Sequence, residues 1–231
     1  MDLGLRPIGI VRSCFGGKFA VPRQPGLCPS AWGELHLHPE FRHADGLRGI
    51  DGFSHLWLIF GFHQTAHEGW HPTVRPPRLG GNARVGVFAS RSTYRPNALG
   101  LSLVRFDGLA DDPADGPVLR LGAVDLVDGT PVYDIKPYLP YAESVPDARA
   151  GYAADAMPQL EVRVDDAAAA AFGSLDARSR AVIIEALALD PRPAVRHADH
   201  GRTYGADLCG VNVKFNVEGA VCHITAIEHP R

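Results

Sequence analysis

Residues 54–62 read SHLWLIFGF, and residues 99–104 read LGLSLV. The first is a short, nearly continuous apolar run, consistent with a buried strand. The second alternates Leu99, Leu101 and Leu103 with small or polar residues, which is the period of a pleated strand. Working outward, Pro7 to Arg12 and Val118 to Val124 read as further short strands, the latter after a loop rich in Asp, Pro and Gly. Arg84 to Ala89 alternates and follows a Gly80-Gly81-Asn82 turn, so it too reads as a strand. With 25 glycines and 19 prolines the chain favours short strands and tight turns over long helices. Strands at this regular spacing imply a small closed, or nearly closed, β-barrel, and closure removes exposed edges.

The composition changes around residues 140–158, where Pro, Gly, Ala and acidic residues follow no period, so a linker is placed there. Beyond it, Asp176 to Leu189 reads as a helix with Val182, Ile183, Ala186 and Leu187 on one face, stopped by Pro191 and Pro193. Val211, Val213, Phe215 and Val217 then alternate with polar residues, and a Gly219 turn leads to a second strand, Val221 to Ile227. The predicted class is therefore mainly β: a barrel domain over residues 1–150, followed by a small α+β domain over 157–231. The second, at roughly 70 residues, lies near the lower limit for folding alone and is expected to lean on the first domain or on a partner subunit.

The 231 residues are 45% apolar and 21% charged, the composition of a soluble globular protein. The start, MDLGLRPIGIVRS, lacks the long apolar core of a signal peptide, and the run Leu56 to Phe62 is too short to span a bilayer. Cys14, Cys28, Cys209 and Cys222 form no CxxC and read as free thiols in a reducing cytoplasm. The net charge of −3 hides an asymmetry. Residues 69–106 hold six arginines (Arg75, Arg78, Arg84, Arg91, Arg95, Arg105) and no acid. An all-Arg block suits phosphates and carboxylates, and on a chain of negative overall charge it implies one local basic face rather than general coating of nucleic acid.

Dinucleotide and nucleotide-triphosphate fingerprints are absent, as is the hydrolase elbow GxSxG. His63, His67 and His71 fall at helical spacing for a metal, but Gly69 and Pro72 break that helix, so no metal is expected. The ionisable residues concentrate instead in RSTYRPNALG (91–100) and DLVDGTPVYDIKPY (125–138). The second gathers Asp125, Asp128, Asp134, Lys136 and Tyr138 around a Gly129-Thr130-Pro131 turn, and loops with ionisable residues at fixed offsets are where sites are built. Asp128, ahead of Gly129, is a natural turn residue; Asp134 has no such role and is the stronger chemical candidate.

The stretches FAVPRQPGL (19–27), FSHLWLIFGFHQ (53–64), PTVRPPRLGGN (72–82), RVGVFASRSTYRPNALGLS (84–102) and LVDGTPVYDIKPYLPYAES (126–144) closely resemble the TrmO family, as do DPRPAV (190–195) and RTYG (202–205) for its second domain. The resemblance implies an S-adenosylmethionine-dependent tRNA methyltransferase with a β-barrel catalytic domain, acting on the exocyclic nitrogen of threonylcarbamoyladenosine at tRNA position 37, chiefly in threonine and serine tRNAs. It implies a homodimer with the pocket near the subunit interface. It implies a cofactor pocket lined by Pro22, Arg23 and Gln24, by His63 and Gln64, by Arg91 and Leu101, and by Gly122, Ala123, Val124, Asp125 and Leu126. The family more often has Pro where this chain has Ala98, and commonly an aromatic where it has Val195.

The chemistry sets the remaining roles. The acceptor nitrogen carries a proton and a delocalised lone pair, so a general base helps transfer to it. Asp134 is the first candidate, ahead of Asp125 and Asp128. Tyr138 is placed to orient or stack on the base, and Lys136 or Arg95 to pair with the threonyl carboxylate. Arg75, Arg78 and Arg95 are expected on the RNA, since phosphate contacts position while pocket contacts specify. The rival reading is a non-catalytic RNA-binding barrel with the same arginines and no methyl donor.

Overall fold

The computed structural model describes residues 4–80, 82–156, 158–193 and 201–229. Gly81 and Val195, both singled out above, lie outside them. Strands β1 (Gly9–Ser13), β2 (Trp32–Leu37) and β3 (His55–Gly61) are followed by a two-stranded arm, β4 (Thr73–Val74) and β5 (Val85–Gly86), and then by β6 (Leu99–Asp112), β7 (Gly116–Gly122) and β8 (Thr130–Pro137). One-turn helices α1 (Ala44–Leu47) and α2 (Pro140–Glu143) cover connections. Six strands pair in the closed order β1-β2-β7-β6-β3-β8, with β8 returning to β1 through Gly9–Val132 and Val11–Thr130. Along β3, Leu56, Leu58 and Phe60 point into the core while His55, Trp57 and Ile59 point outward.

Two strand assignments change. Arg84 to Ala89 is a strand only at Val85–Gly86, and Val87–Ala89 is a 3-10 turn. The cause is local: Ser90 Oγ donates to the Val87 carbonyl at 2.8 Å, and Arg95 Nη1 donates to the Val87 and Ser90 carbonyls at 3.3 and 2.9 Å, which curls the chain. Residues 130–137, grouped above with the site loop, are strand β8, because period-two burial of Thr130 and Val132 pulls them into the barrel wall.

The chain is mainly β, with a second sheet in its C-terminal part. There β9 (Glu161–Val164) precedes α3 (Asp166–Gly173) and α4 (Ala177–Ala188), and β10 (Tyr204–Leu208), β11 (Val211–Glu218) and β12 (Val221–Glu228) complete a sheet of order β10-β11-β12-β9. Helix α4 starts where Asp176 accepts from the Ser179 N–H at 3.0 Å, an N-cap, and buries Val182, Ile183, Ala186 and Leu187 as its pattern implies. This part does lean on the barrel. Phe15 and Leu208 form an antiparallel bridge, Phe19 stacks on Tyr204 and Phe215, and the Ser30 N–H and hydroxyl donate to Glu185 at 2.8 and 2.7 Å. One continuous apolar core serves both parts. No helix among the described residues is long and apolar enough to cross a membrane.

Candidate active site

Four sequence-distant segments meet on loops of the barrel. Gln24 accepts a hydrogen bond from Arg91 while its amide donates to the Arg23 carbonyl. The Gly26 N–H donates to the Ala123 carbonyl at 3.0 Å and the Ala123 N–H to the Ala31 carbonyl at 2.7 Å. Ala123 has φ +55, which turns the chain inward after β7. That turn places Asp125 beside Ser102 of β6 and within reach of the Arg91 charge. The His63-Gln64 pair is tied in from below, since the Phe62 N–H donates to the Ala98 carbonyl at 2.8 Å. Ala98 itself has φ +48, so the turn that follows Arg95-Pro96-Asn97 is held without proline.

Asp125 is the electrostatic centre of these loops. Its Oδ1 is shut off from solvent and has no hydrogen-bond partner among the described residues. Burial pushes its carboxyl up to about 6, against the pull of the Ser102 hydroxyl, its own backbone N–H and Arg91. Thr65 Oγ1, just after His63-Gln64, is the other buried and unpartnered oxygen in these loops. Native proteins seldom leave such atoms unmatched, and an unmatched one suits a ligand donor. Pro22 is buried, Arg23 is exposed, and Leu101 is 55% exposed on the outer wall. Arg23 feels both Asp190 and Arg78, with desolvation lowering its pKa most and Asp190 opposing. The segment Pro22-Arg23-Gln24 therefore lies within electrostatic reach of Asp190, in the C-terminal part.

The catalytic candidates share one outward face. In the ladder β8-β3-β6, Asp134 lies opposite Ile59 and Ile59 opposite Leu101; Lys136 lies opposite Trp57 and Trp57 opposite Leu103. Each row spans two strand spacings, about 10 Å. In the next row Tyr138 packs edge-on against His55 and Trp57, with the Tyr138 N–H donating to the His55 carbonyl at 3.0 Å. Beside this face opens a cavity of about 400 Å³ between the loop after Gln24 and the β3–β6 wall, lined by Pro25, Gly26, His55, Leu103, Arg105 and Ala123. Arg105 is clamped there by Asp107 through Nε–Oδ1 at 2.6 Å and Nη2–Oδ2 at 3.1 Å.

The three acids of 125–138 separate clearly. Asp128 accepts from the Ser13 N–H at 3.0 Å and pairs loosely with Arg12, a structural turn role. Asp134 is exposed and its Oδ1 accepts from the Ile135 N–H at 2.9 Å, with no hydrogen bond to Oδ2 among the described residues. Lys136 is exposed and makes no hydrogen bond or ion pair among the described residues. Arg95 instead braces two carbonyls, as above, and lies 6.0 Å from the Phe88 ring centre. Arg75 is exposed on the arm, and Arg78 donates to the Asp155 carbonyl in the linker. Sequence reading missed Ser102, Thr65, Trp57 and His55, and placed Arg105 only within the basic block. Ser102 carried a signal, a lone hydroxyl on a barrel strand between leucines; the others looked like ordinary strand and loop residues.

Residues 10–144 match the model of the tRNA-methyltransferase O N-terminal domain, and residues 157–230 match that of the TrmO C-terminal domain. The chain belongs to the TrmO family. A relative from Escherichia coli K12, named tRNA (adenine(37)-N6)-methyltransferase, is 52% identical over 227 residues, 96% of each chain. A Pseudomonas aeruginosa relative named for S-adenosylmethionine-dependent methyl transfer is 44% identical, over 94% of this chain and 93% of its own. The crystal structure of TrmO from P. aeruginosa superposes with a TM-score of 0.79 at 39% identity, covering 100% of this chain and 98% of that one.

Proposed function

We propose that this TrmO-family enzyme methylates the exocyclic nitrogen of threonylcarbamoyladenosine at position 37 of threonine and serine tRNAs, with S-adenosylmethionine as donor. The observation that carries the reading is the 52% identity across 96% of both chains to a protein named for N6 methylation of adenine 37. The residues fit the donor. The unpartnered Asp125 Oδ1 suits an ammonium or hydroxyl donor, the exposed Arg91 guanidinium a carboxylate, and the exposed Leu101 side chain an adenine face. When bound, the donor supplies a methyl group on a cationic sulfonium, and placement of the two reactants can provide most of the rate.

On the acceptor side, Asp134 takes the proton of the acceptor nitrogen on its Oδ2. Lys136 pairs with the threonyl carboxylate, a role that its exposed ammonium suits better than the braced Arg95 does. Tyr138 stacks on or orients the base, with His55 and Trp57 holding its ring. Arg75 and Arg78 meet the RNA backbone. Residues 1–150 carry donor and chemistry, and residues 157–231 assist tRNA binding. The enzyme works as a cytoplasmic homodimer.

The test is mass spectrometry of tRNA nucleosides from cells with and without the gene. The methylated form of threonylcarbamoyladenosine should vanish on deletion and return with the wild-type chain but not with Asp134→Asn. Unchanged nucleosides on deletion would refute the activity. Single-turnover methylation of modified and unmodified tRNA tests the substrate. Discrimination on the order of a hundredfold is expected, since a cation left without its partner is costly.

A further inference from the structure

Cys14 and Cys28 meet the sequence-distant Cys209 where the barrel joins the C-terminal sheet. Cys209 and Gly210 form the two-residue turn between β10 and β11, with φ values of +52 and +77. Asn-Gly is the ordinary choice for a hairpin turn with two positive φ angles, and a cysteine there is held against its backbone preference. The tip of this hairpin docks on the end of β1. Phe15 bridges Leu208, the Gly16 N–H donates to the Asp207 carbonyl at 3.0 Å, and the Cys209 N–H donates to the Cys14 carbonyl at 2.7 Å. This antiparallel register sets Cys14 directly opposite Cys209. That backbone hydrogen bond keeps the two Cα atoms roughly within the 4.4–6.8 Å that a disulfide spans. The two thiols lie close enough that each shifts the other's titration, and the Cys209 thiol also faces the Ser179 carbonyl at 4.0 Å.

We propose that Cys14 and Cys209 form a reversible disulfide under peroxide, stapling the C-terminal hairpin to the barrel. The division of labour follows from the surroundings. Cys209 is half-buried, so oxidant reaches it, and the neighbouring Cys14 thiol lowers its pKa. Cys14 is 2% exposed, and the Cys209 thiol, with burial, raises its own. Cys209 attacks as thiolate and breaks the peroxide O–O bond, giving a sulfenic acid and hydroxide, which takes the Cys14 proton. The Cys14 sulfur then attacks the Cys209 sulfur and expels hydroxide, which leaves as water with the proton first released by Cys209. Two thiols are oxidised and one hydrogen peroxide is reduced to two waters. Cys28 is fully buried and directs its thiol at the Val182 carbonyl, 3.8 Å away, so it stands aside. All four cysteines are free thiols in the structure. None of this depends on the methyltransferase reading.

The test treats the reduced full-length protein with stoichiometric hydrogen peroxide, blocks remaining thiols by alkylation, and maps peptides by mass spectrometry. A Cys14–Cys209 linked peptide short of two hydrogens is expected, with Cys28 and Cys222 alkylated after denaturation. The oxidised protein should melt roughly 5–10 °C higher than the reduced form, reversed by dithiothreitol, as for a disulfide closing a long loop. Cys14→Ser should abolish the link and the shift and leave Cys209 as a sulfenic acid trappable by dimedone. Cys209→Ser changes only a half-buried turn residue, and its loss of the link serves equally if the core variant folds poorly. Absence of the linked peptide in the wild type, a link from Cys14 to Cys28, or a melting shift that persists in either variant would overturn the proposal.

Discussion

Strand β11 and the first half of β6 carry the same kind of alternation and face it in opposite senses. In β11, Val211, Val213, Phe215 and Val217 are buried, while Asn212, Lys214 and Asn216 between them are half-buried and Glu218 is exposed. In β6, Leu101 is 55% exposed while Ser102 is 3% exposed, so the leucines line the outside and glycine and serine face in. Period two locates a strand, but which set is buried depends on what occupies the other side of the wall. Opposite β11 there are helices and aromatic rings to pack against. Inside β6 at this point there is the Phe60 ring, which fills the space a Gly100 side chain would take, and the Asp125 carboxylate, which meets Ser102. That small and polar inward face is where the proposed donor site would lie.

The largest effect expected from this contrast is on the scaffold side. Phe215 is 0% exposed and stacks on Tyr204 and Phe19. Phe215→Ala should lower unfolding free energy by about 3–5 kcal/mol, seen in urea melts, with S-adenosylmethionine affinity unchanged in the folded fraction. A selective loss of donor binding would mean that β11 belongs to the site after all.

Next comes overpacking of the inward glycine. A Cβ on Gly100 would overlap three atoms of the Phe60 ring, itself 6% exposed. Gly100→Ala should cost about 2–3 kcal/mol, and Phe60→Leu in the same chain should restore part of it, because the two residues share one space. Additive losses in the double variant would show that the ring does not occupy that space.

Asp125 should behave in the opposite direction. Its folded pKa of about 6 lies above the reference carboxylate value of 3.8, so the folded state holds the proton more tightly. The stability deficit is absent below pH 4, grows as pH rises through the window from about 4 to 6, and is complete above it. A shift of this size corresponds to at most about 3 kcal/mol. Asp125→Asn removes the charge and should raise stability at pH 7.5 by about 1–2 kcal/mol while weakening donor binding tenfold or more. Wild-type donor affinity should rise between pH 5 and 7 and the variant's should stay flat. A variant that is less stable at pH 7.5 would mean that the carboxylate is held by partners and is no functional reserve.

The same contrast explains what could be read from sequence. Helix α4 and the β11–β12 hairpin were legible because a packed interior imposes one period on one face. Strand β8 reads as a loop in the sequence because Asp134 and Lys136 break the apolar run, although they are simply its outward residues. Strand β9 and helix α3 were missed: four residues of β9 and an alanine-rich α3 carry little period, and their assignment is decided by pairing with β12. Within the site, the segments were recognisable as motifs, but the inward turn at Ala123 that brings Asp125 to Ser102 leaves no trace in spacing. The meeting of Cys14 with Cys209 is equally a product of register, across a separation that no local pattern spans.

The smallest predicted change in stability is also the most diagnostic. Leu101 lies outside the barrel, opposite Ile59 and two strands from Asp134. An exposed leucine contributes little to folding, and surface substitutions of this kind usually stay within about 0.5 kcal/mol. Leu101→Ala should therefore leave the melting temperature of the free protein almost unchanged. Its consequence should appear only when the donor is added. The wild type should melt higher with S-adenosylmethionine, because a ligand specific to the native state stabilises it by mass action, and the variant should lose most of that rise. Leu99→Ala, on the same outward face one row away but outside the proposed pocket, is the control and should keep the rise. Equal ligand shifts in all three proteins would remove the outer wall from the donor site and leave the inward turning of Gly100 and Ser102 as a packing feature alone.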